Sequence, residues 1–183
     1  DERITDFLAR RLNLSREDAD DLRRHYYEEY GTTAAGCEKE LDIPQAQVYA
    51  QSVEQIDPAD YLEPAPELDG MLAALDLPLY IFTNATARYA HRVLAVLEVE
   101  EHFEAVYDIE FTGWHPKPHP EAYAKVVEAV GLPAGDLGLI EDNPVNLEPA
   151  RKLGMTTFLL RAEHSAADYR LPDILHLGRV IGH

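Results

Sequence analysis

Two adjacent carboxylates, Glu141 and Asp142, follow the apolar run Leu137-Gly138-Leu139-Ile140 and precede Asn143-Pro144. Neighbouring like charges repel unless a cation stands near them. A hard divalent ion such as Mg²⁺, which takes one or two carboxylates and keeps several waters, suits such a pair. A second group ends another apolar run, where Leu79-Tyr80-Ile81-Phe82 leads into Thr83-Asn84-Ala85. A hydroxyl, a side-chain amide and the free N–H groups of a helix start can together receive an anion. The third is Lys117, held between Pro116 and Pro118 in a chain whose other lysines are Lys39, Lys125 and Lys152. Its ammonium can balance the two carboxylates and a phosphoryl group at once. Each piece also has a plainer reading. Thr83 and Asn84 are favoured in turns and caps for local reasons, Glu141 and Asp142 belong to a chain with 34 acidic residues, and Lys117 reads equally as a surface lysine.

The elements that must position these groups are legible from periodicity. Leu79–Phe82, Leu137–Ile140 and Thr157–Leu160 are apolar on both faces, as buried parallel strands require, and Ala105–Ile109 is a shorter strand candidate. Between them, Ala90, Val93, Leu94 and Leu97 form one helical stripe, and Tyr123, Val126, Val127 and Val130 another. This alternation predicts an α/β fold, a Rossmann-like parallel sheet with flanking helices, and places ligands beyond the carboxyl ends of the strands. The first third of the chain has a different texture. Ile4, Phe7, Leu8 and Leu12, then Leu22, Tyr26 and Tyr30, recur at helical spacing. Ser15 with Asp18 predicts a helix start and Gly31 a stop. The proline-rich stretch from Asp57 to Pro66 then separates a helical unit, residues 1–63, from an α/β unit, residues 64–183.

Composition narrows the function classes. The 183 residues carry a net charge of −18, so the average field repels a phosphate backbone or an anionic membrane, and neither is an expected partner. Lone Cys37 forms no internal disulfide, and no signal peptide or membrane-spanning run is visible, which together predict a cytoplasmic protein. The eight histidines show no zinc-ligand spacing, and Trp114 reads as a loop anchor.

Taken in order, Ile81-Phe82-Thr83-Asn84-Ala85, then Lys117-Pro118-His119-Pro120-Glu121-Ala122-Tyr123, then Glu141-Asp142-Asn143-Pro144-Val145-Asn146-Leu147-Glu148-Pro149-Ala150 with Leu153-Gly154-Met155, resemble the second, third and fourth motifs of the haloacid dehalogenase (HAD) superfamily. The likeness covers about residues 64–165 and is strongest to its pyrimidine 5′-nucleotidase-like branch. The resemblance implies a parallel-sheet core with a small helical cap over residues 1–63. It also implies Mg²⁺-dependent hydrolysis of small phosphate monoesters through an aspartyl-phosphate, with pyrimidine nucleoside 5′-monophosphates as one candidate substrate and a homodimer left open. On that likeness Thr83 holds a phosphoryl oxygen, Asn84 orients the phosphate, Lys117 neutralises the phosphoryl group and the nucleophile, and Asp142 with Glu141 holds Mg²⁺. The family's first motif, Asp-x-Asp-x-Thr on the central first strand, has no counterpart ahead of the cap. The sequence opens Asp-Glu-Arg, inside it, without an initiator Met. Asp108-Ile109-Glu110-Phe111-Thr112 has similar spacing but the wrong context, and reads as a decoy. The expectation is a phosphohydrolase truncated ahead of its nucleophile and inactive as written. The alternative is a non-catalytic binding module that keeps the phosphate and Mg²⁺ site. The His25–Thr33 stretch resembles the cap of the same branch; Tyr26 and Tyr30 fit a buried stripe, against a role in stacking on a base.

Overall fold

A computed structural model describes residues 1–161 and 167–181; the last residues of the stretch resembling the family, 162–165, lie outside the described set. Four helices open the chain: α1 (Glu2–Leu12), α2 (Arg16–Tyr30), α3 (Thr33–Leu41) and α4 (Gln45–Gln51). Their boundaries follow local chemistry. The Ser15 hydroxyl accepts the Asp18 N–H at 3.1 Å to start α2, and Gly31, at φ 80°, ends it in the left-handed region that glycine enters without strain. Phe7, Leu8, Tyr26, Cys37, Val48 and Tyr49 form the buried centre of this helical part. There α2 and α3 approach so closely that a Cβ at Gly36 would fall 2.4 Å from the Tyr26 ring.

The remainder alternates as expected: α5 (Pro66–Ala73), β1 (Leu79–Phe82), α6 (Ala87–Leu97), β2 (Phe103–Tyr107), α7 (Pro120–Val130), β3 (Gly138–Glu141), α8 (Pro144–Lys152), β4 (Thr156–Leu160), β5 (Tyr169–Leu171) and α9 (Leu177–Ile181). All strand pairs among the described residues are parallel, so their carboxyl ends gather on one side. The pairing is interrupted, as the loss of a central strand from a parallel sheet implies. β1 pairs with β2, and β3 with β4 and β5, in two separate sheets. Between them runs a cavity of about 490 Å³ lined by Leu79 and Phe82 of β1, Leu139 and Ile140 of β3, and Val126 and Val130 of α7. The free edges of β1 and β3 therefore face across apolar space rather than bonding to each other.

Two differences from expectation have physical causes. Ile109, expected to end a strand, lies beyond β2, because Asp108 turns the chain by accepting the N–H of Phe111 at 2.8 Å. Ile109 is then 0% exposed within the helical cluster. β5 was not anticipated, since three residues are too short for a period-two signal to register. Among the described residues, no helix is long and apolar enough to cross a membrane.

Candidate active site

β1 and β3 end at the same place, and Lys117 joins their tips. Its Nζ donates to the Phe82 carbonyl at 2.9 Å and to Glu141 Oε2 at 2.6 Å. An ammonium carries three donors, so one N–H remains for a ligand. Both side chains are withdrawn from water, 11% and 8% exposed. Burial pushes the Glu141 carboxyl up, but the Lys117 charge and the hydrogen bonds it accepts outweigh this and hold it below the ordinary range. Its other oxygen, Oε1, accepts the N–H groups of Asp142 and Asn143 at 3.1 and 3.2 Å.

Glu141 is thus spent as the counter-charge of Lys117, and the neighbouring Asp142 is the exposed member of the acid pair. A hydrogen bond to Glu141, with burial and the Glu141 charge adding to it, raises the Asp142 carboxyl above its ordinary value. Two acids crowded in this way have the oxygen-only chemistry that suits a hard divalent cation. The donor set therefore fits Mg²⁺, with Asp142 as the ligand and Glu141 behind it.

Thr83 directly follows the Phe82 carbonyl that Lys117 holds; its own N–H donates to the Tyr107 carbonyl, and its hydroxyl accepts the Ala85 N–H at 3.0 Å. Asn84 spends its amide elsewhere than the sequence suggests. Nδ2 donates to the Lys117 carbonyl at 3.0 Å, and Oδ1 accepts the Lys117 N–H at 2.7 Å. Any effect of Asn84 on a phosphate therefore passes through the lysine loop, which it clamps to the tip of β1. Thr83, Asn84, Lys117, Glu141 and Asp142 are accordingly brought together.

Asp108 is not among them. Its carboxylate accepts the N–H of Ala87 at 2.7 Å and that of Phe111, starting α6 and turning the chain. It is a buried structural cap.

Over the site lies a cleft of about 1020 Å³ between the helical part and the strand tips, lined by Tyr27, Tyr30, Trp114, His115, Lys117 and Asn143 among others. Several contacts between the helical part and the rest of the chain were invisible in the sequence. The Asn143 amide donates to the Tyr27 hydroxyl at 2.9 Å, 116 residues away. Tyr49 donates its hydroxyl to the Asn84 carbonyl at 2.6 Å, and Gln45 its amide to the Trp114 carbonyl at 3.2 Å. Gly31 meets the lysine loop so closely that a Cβ there would lie 3.1 Å from the Lys117 carbonyl oxygen. Tyr26 packs in the core, as its spacing predicts, whereas its neighbour Tyr27 faces the cleft and is 46% exposed.

Residues 3–154 match the family model described as haloacid dehalogenase-like hydrolase. Over 117 residues the chain is 30% identical to an enolase-phosphatase E1 of Stenotrophomonas maltophilia, covering 62% of this chain and 48% of the relative. Over 169 residues it is 25% identical to phosphate metabolism protein 8 of Saccharomyces cerevisiae, covering 83% and 52%. The chain thus spans about half the length of the curated relatives it matches. Among solved structures, a HAD phosphatase from Thermococcus onnurineus superposes with a TM-score of 0.67 at 18% identity, covering 99% of this chain and 87% of the other.

Proposed function

The chain belongs to the haloacid dehalogenase-like hydrolases, and from that premise we propose that it forms the cap and core of a Mg²⁺-dependent phosphohydrolase acting on small phosphate monoesters. Residues 1–63 are the cap and residues 64–183 the core. The observation that carries the reading is the Lys117 ammonium, fixed between the Phe82 carbonyl and Glu141 with one N–H unspent, where Thr83 and Asp142 directly follow those two partners in the chain. Phosphoryl transfer asks chiefly for positioning and neutralisation of charge, and these residues supply both. The Thr83 hydroxyl donates to one phosphoryl oxygen, and Lys117 donates its third N–H to another or to the nucleophile. Asp142 holds Mg²⁺, which when bound neutralises phosphoryl charge; Glu141 keeps Lys117 in place, and Asn84 fixes the loop.

The nucleophile is a carboxylate at the carboxyl end of an apolar strand, not among these 183 residues, that fills the cavity between β1 and β3. Its oxygen attacks phosphorus, the ester oxygen leaves with a proton from the second Asp of the same Asp-x-Asp-x-Thr strand, and that Asp then takes a proton from the water that releases phosphate from the aspartyl-phosphate. Supporting this are the two facing strand edges and the apolar lining between them. The leaving group occupies the cleft beneath Tyr27, Tyr30 and Trp114, a setting compatible with a planar base, so a pyrimidine nucleoside 5′-monophosphate is the substrate to try first.

The test measures phosphate release from p-nitrophenyl phosphate and uridine monophosphate, with and without Mg²⁺, by the chain as it stands and by the chain preceded by an Asp-x-Asp-x-Thr strand. Turnover is expected only with the strand and with Mg²⁺, and Asp142→Ala abolishes it. Unchanged turnover by Asp142→Ala would overturn the metal role. A second reading is favoured by the fate of Asp108, whose carboxylate is wholly engaged by backbone N–H groups. On that reading the site binds phosphate and Mg²⁺ without chemistry, and the strand-bearing chain binds phosphate but shows no turnover.

A further inference from the structure

Away from the cleft, at the amino ends of β1 and β2, Asp69 of α5 meets the short 3₁₀ turn Glu100–His102 that leads into β2. We propose that His102, Asp69 and Glu101 form a second divalent-cation site, suited to a borderline ion such as Zn²⁺ rather than to Mg²⁺. One ligand atom from each residue lies within 4.8 Å of the other two. Tetrahedral Zn²⁺, with bonds of about 2.0–2.2 Å, sets its ligand atoms roughly 3.4 Å apart, so a small rotation of side chains closes the set. One neutral imidazole and two carboxylates carry two negative charges, which match the ion, and water completes the coordination.

This histidine differs from the others that face an acid. His91, His119 and His176 pair with Glu100, Glu121 and Asp173 at side-chain exposures of 51%, 52% and 39%. Each has a single carboxylate partner. His102 is 14% exposed, its Nε2 lies 2.6 Å from Asp69 Oδ1, and among the described residues it alone has a third donor converging on it. The ring is thus already held in place, which lowers the ordering cost of binding a metal. In the bound form the ion takes the place of the hydrogen shared by His102 and Asp69; the neutral ring carries its one proton on Nδ1, and any second proton goes to water. Asp69 and His102 are 33 residues apart in sequence, so the ion staples α5 to the start of β2. The site is independent of the phosphohydrolase reading, because it shares no residue with the cluster at the opposite strand ends.

The experiment strips the chain with a chelator and titrates Zn²⁺ by calorimetry, with thermal melts in the presence and absence of the ion. The set comprises wild type, His102→Gln, Asp69→Asn, Glu101→Gln and the control His91→Gln. Wild type and control are expected to bind one equivalent that raises Tm. In each of the other three, affinity should fall at least tenfold and the Zn²⁺-dependent rise in Tm should disappear. The readout is the metal-dependent increment, so the loss of the His102–Asp69 bond in the metal-free protein does not enter it. Glu101→Gln, which changes an exposed side chain, keeps the test valid should the other variants fold poorly. Absence of saturable binding by wild type, or wild-type affinity in His102→Gln or Glu101→Gln, would overturn the site and leave an ion pair only.

Discussion

Lys117 and Glu141 are each poorly hydrated and lie 2.6 Å apart, so removing one leaves the other charge stranded. Breaking such a pair typically costs about 3–5 kcal/mol. Lys117→Met should therefore lower the free energy of urea unfolding by about 3 kcal/mol. The double variant Lys117→Met/Glu141→Gln should lose clearly less than the two single losses combined; additive losses would refute the coupling. Lys117 stood out in the sequence through its flanking prolines, and the acid pair through the apolar strand before it. The use of the Asn84 amide did not, because its partner is the backbone of a residue 33 positions away and side-chain type carries no information about that. Cys37 is a simpler case. Burial pushes its thiol up to about 11 and leaves it 0% exposed, so thiolate is scarce at neutral pH and access is blocked. A disulfide reagent should label it in urea but not in the folded chain; rapid labelling of the folded chain would show that α3 opens.

Among the elements, the segment after β2 joins the helical part to the strands. Ile109 completes the buried cluster of α1–α4, and its N–H donates to the Ala85 carbonyl at 3.2 Å, beside the candidate site. Ile109→Ala should cost about 2–5 kcal/mol through the cavity it leaves and should raise proteolysis within residues 1–53 more than within the strands. Uniform sensitivity along the chain would argue against this joining role. The sequence placed β1, β3 and β4 within a residue or two, because a run apolar on both faces has few other ways to fold. It carried β2 two residues too far, since the turn is enforced by Asp108 capping α6, a contact between segments 21 residues apart. The ends of α2 were legible for the opposite reason: Ser15 and Gly31 act on their own neighbours.

For the molecule as a whole, a net charge of −18 on 183 residues sets up self-repulsion in the compact state. The Debye length shortens from about 30 Å at 0.01 M salt to about 8 Å at 0.15 M, so Tm should rise between those salt concentrations. A fall would mean that the surface ion pairs outweigh the repulsion. The gap that divides the strands into two sheets is legible as the loss of a central strand, whereas the cap–core cleft is not, because it depends on how distant segments meet. Trp114 stands at that meeting. It is the one tryptophan of the chain, its ring centroid lies 6.1 Å from that of Tyr49, and it packs against the helical cluster while its backbone belongs to the loop leading to Lys117. The protein therefore carries its own optical gauge. Indole emission, read without any added dye, follows the polarity of the joint, and a red shift on adding a ligand would record the parting of cap from core in real time.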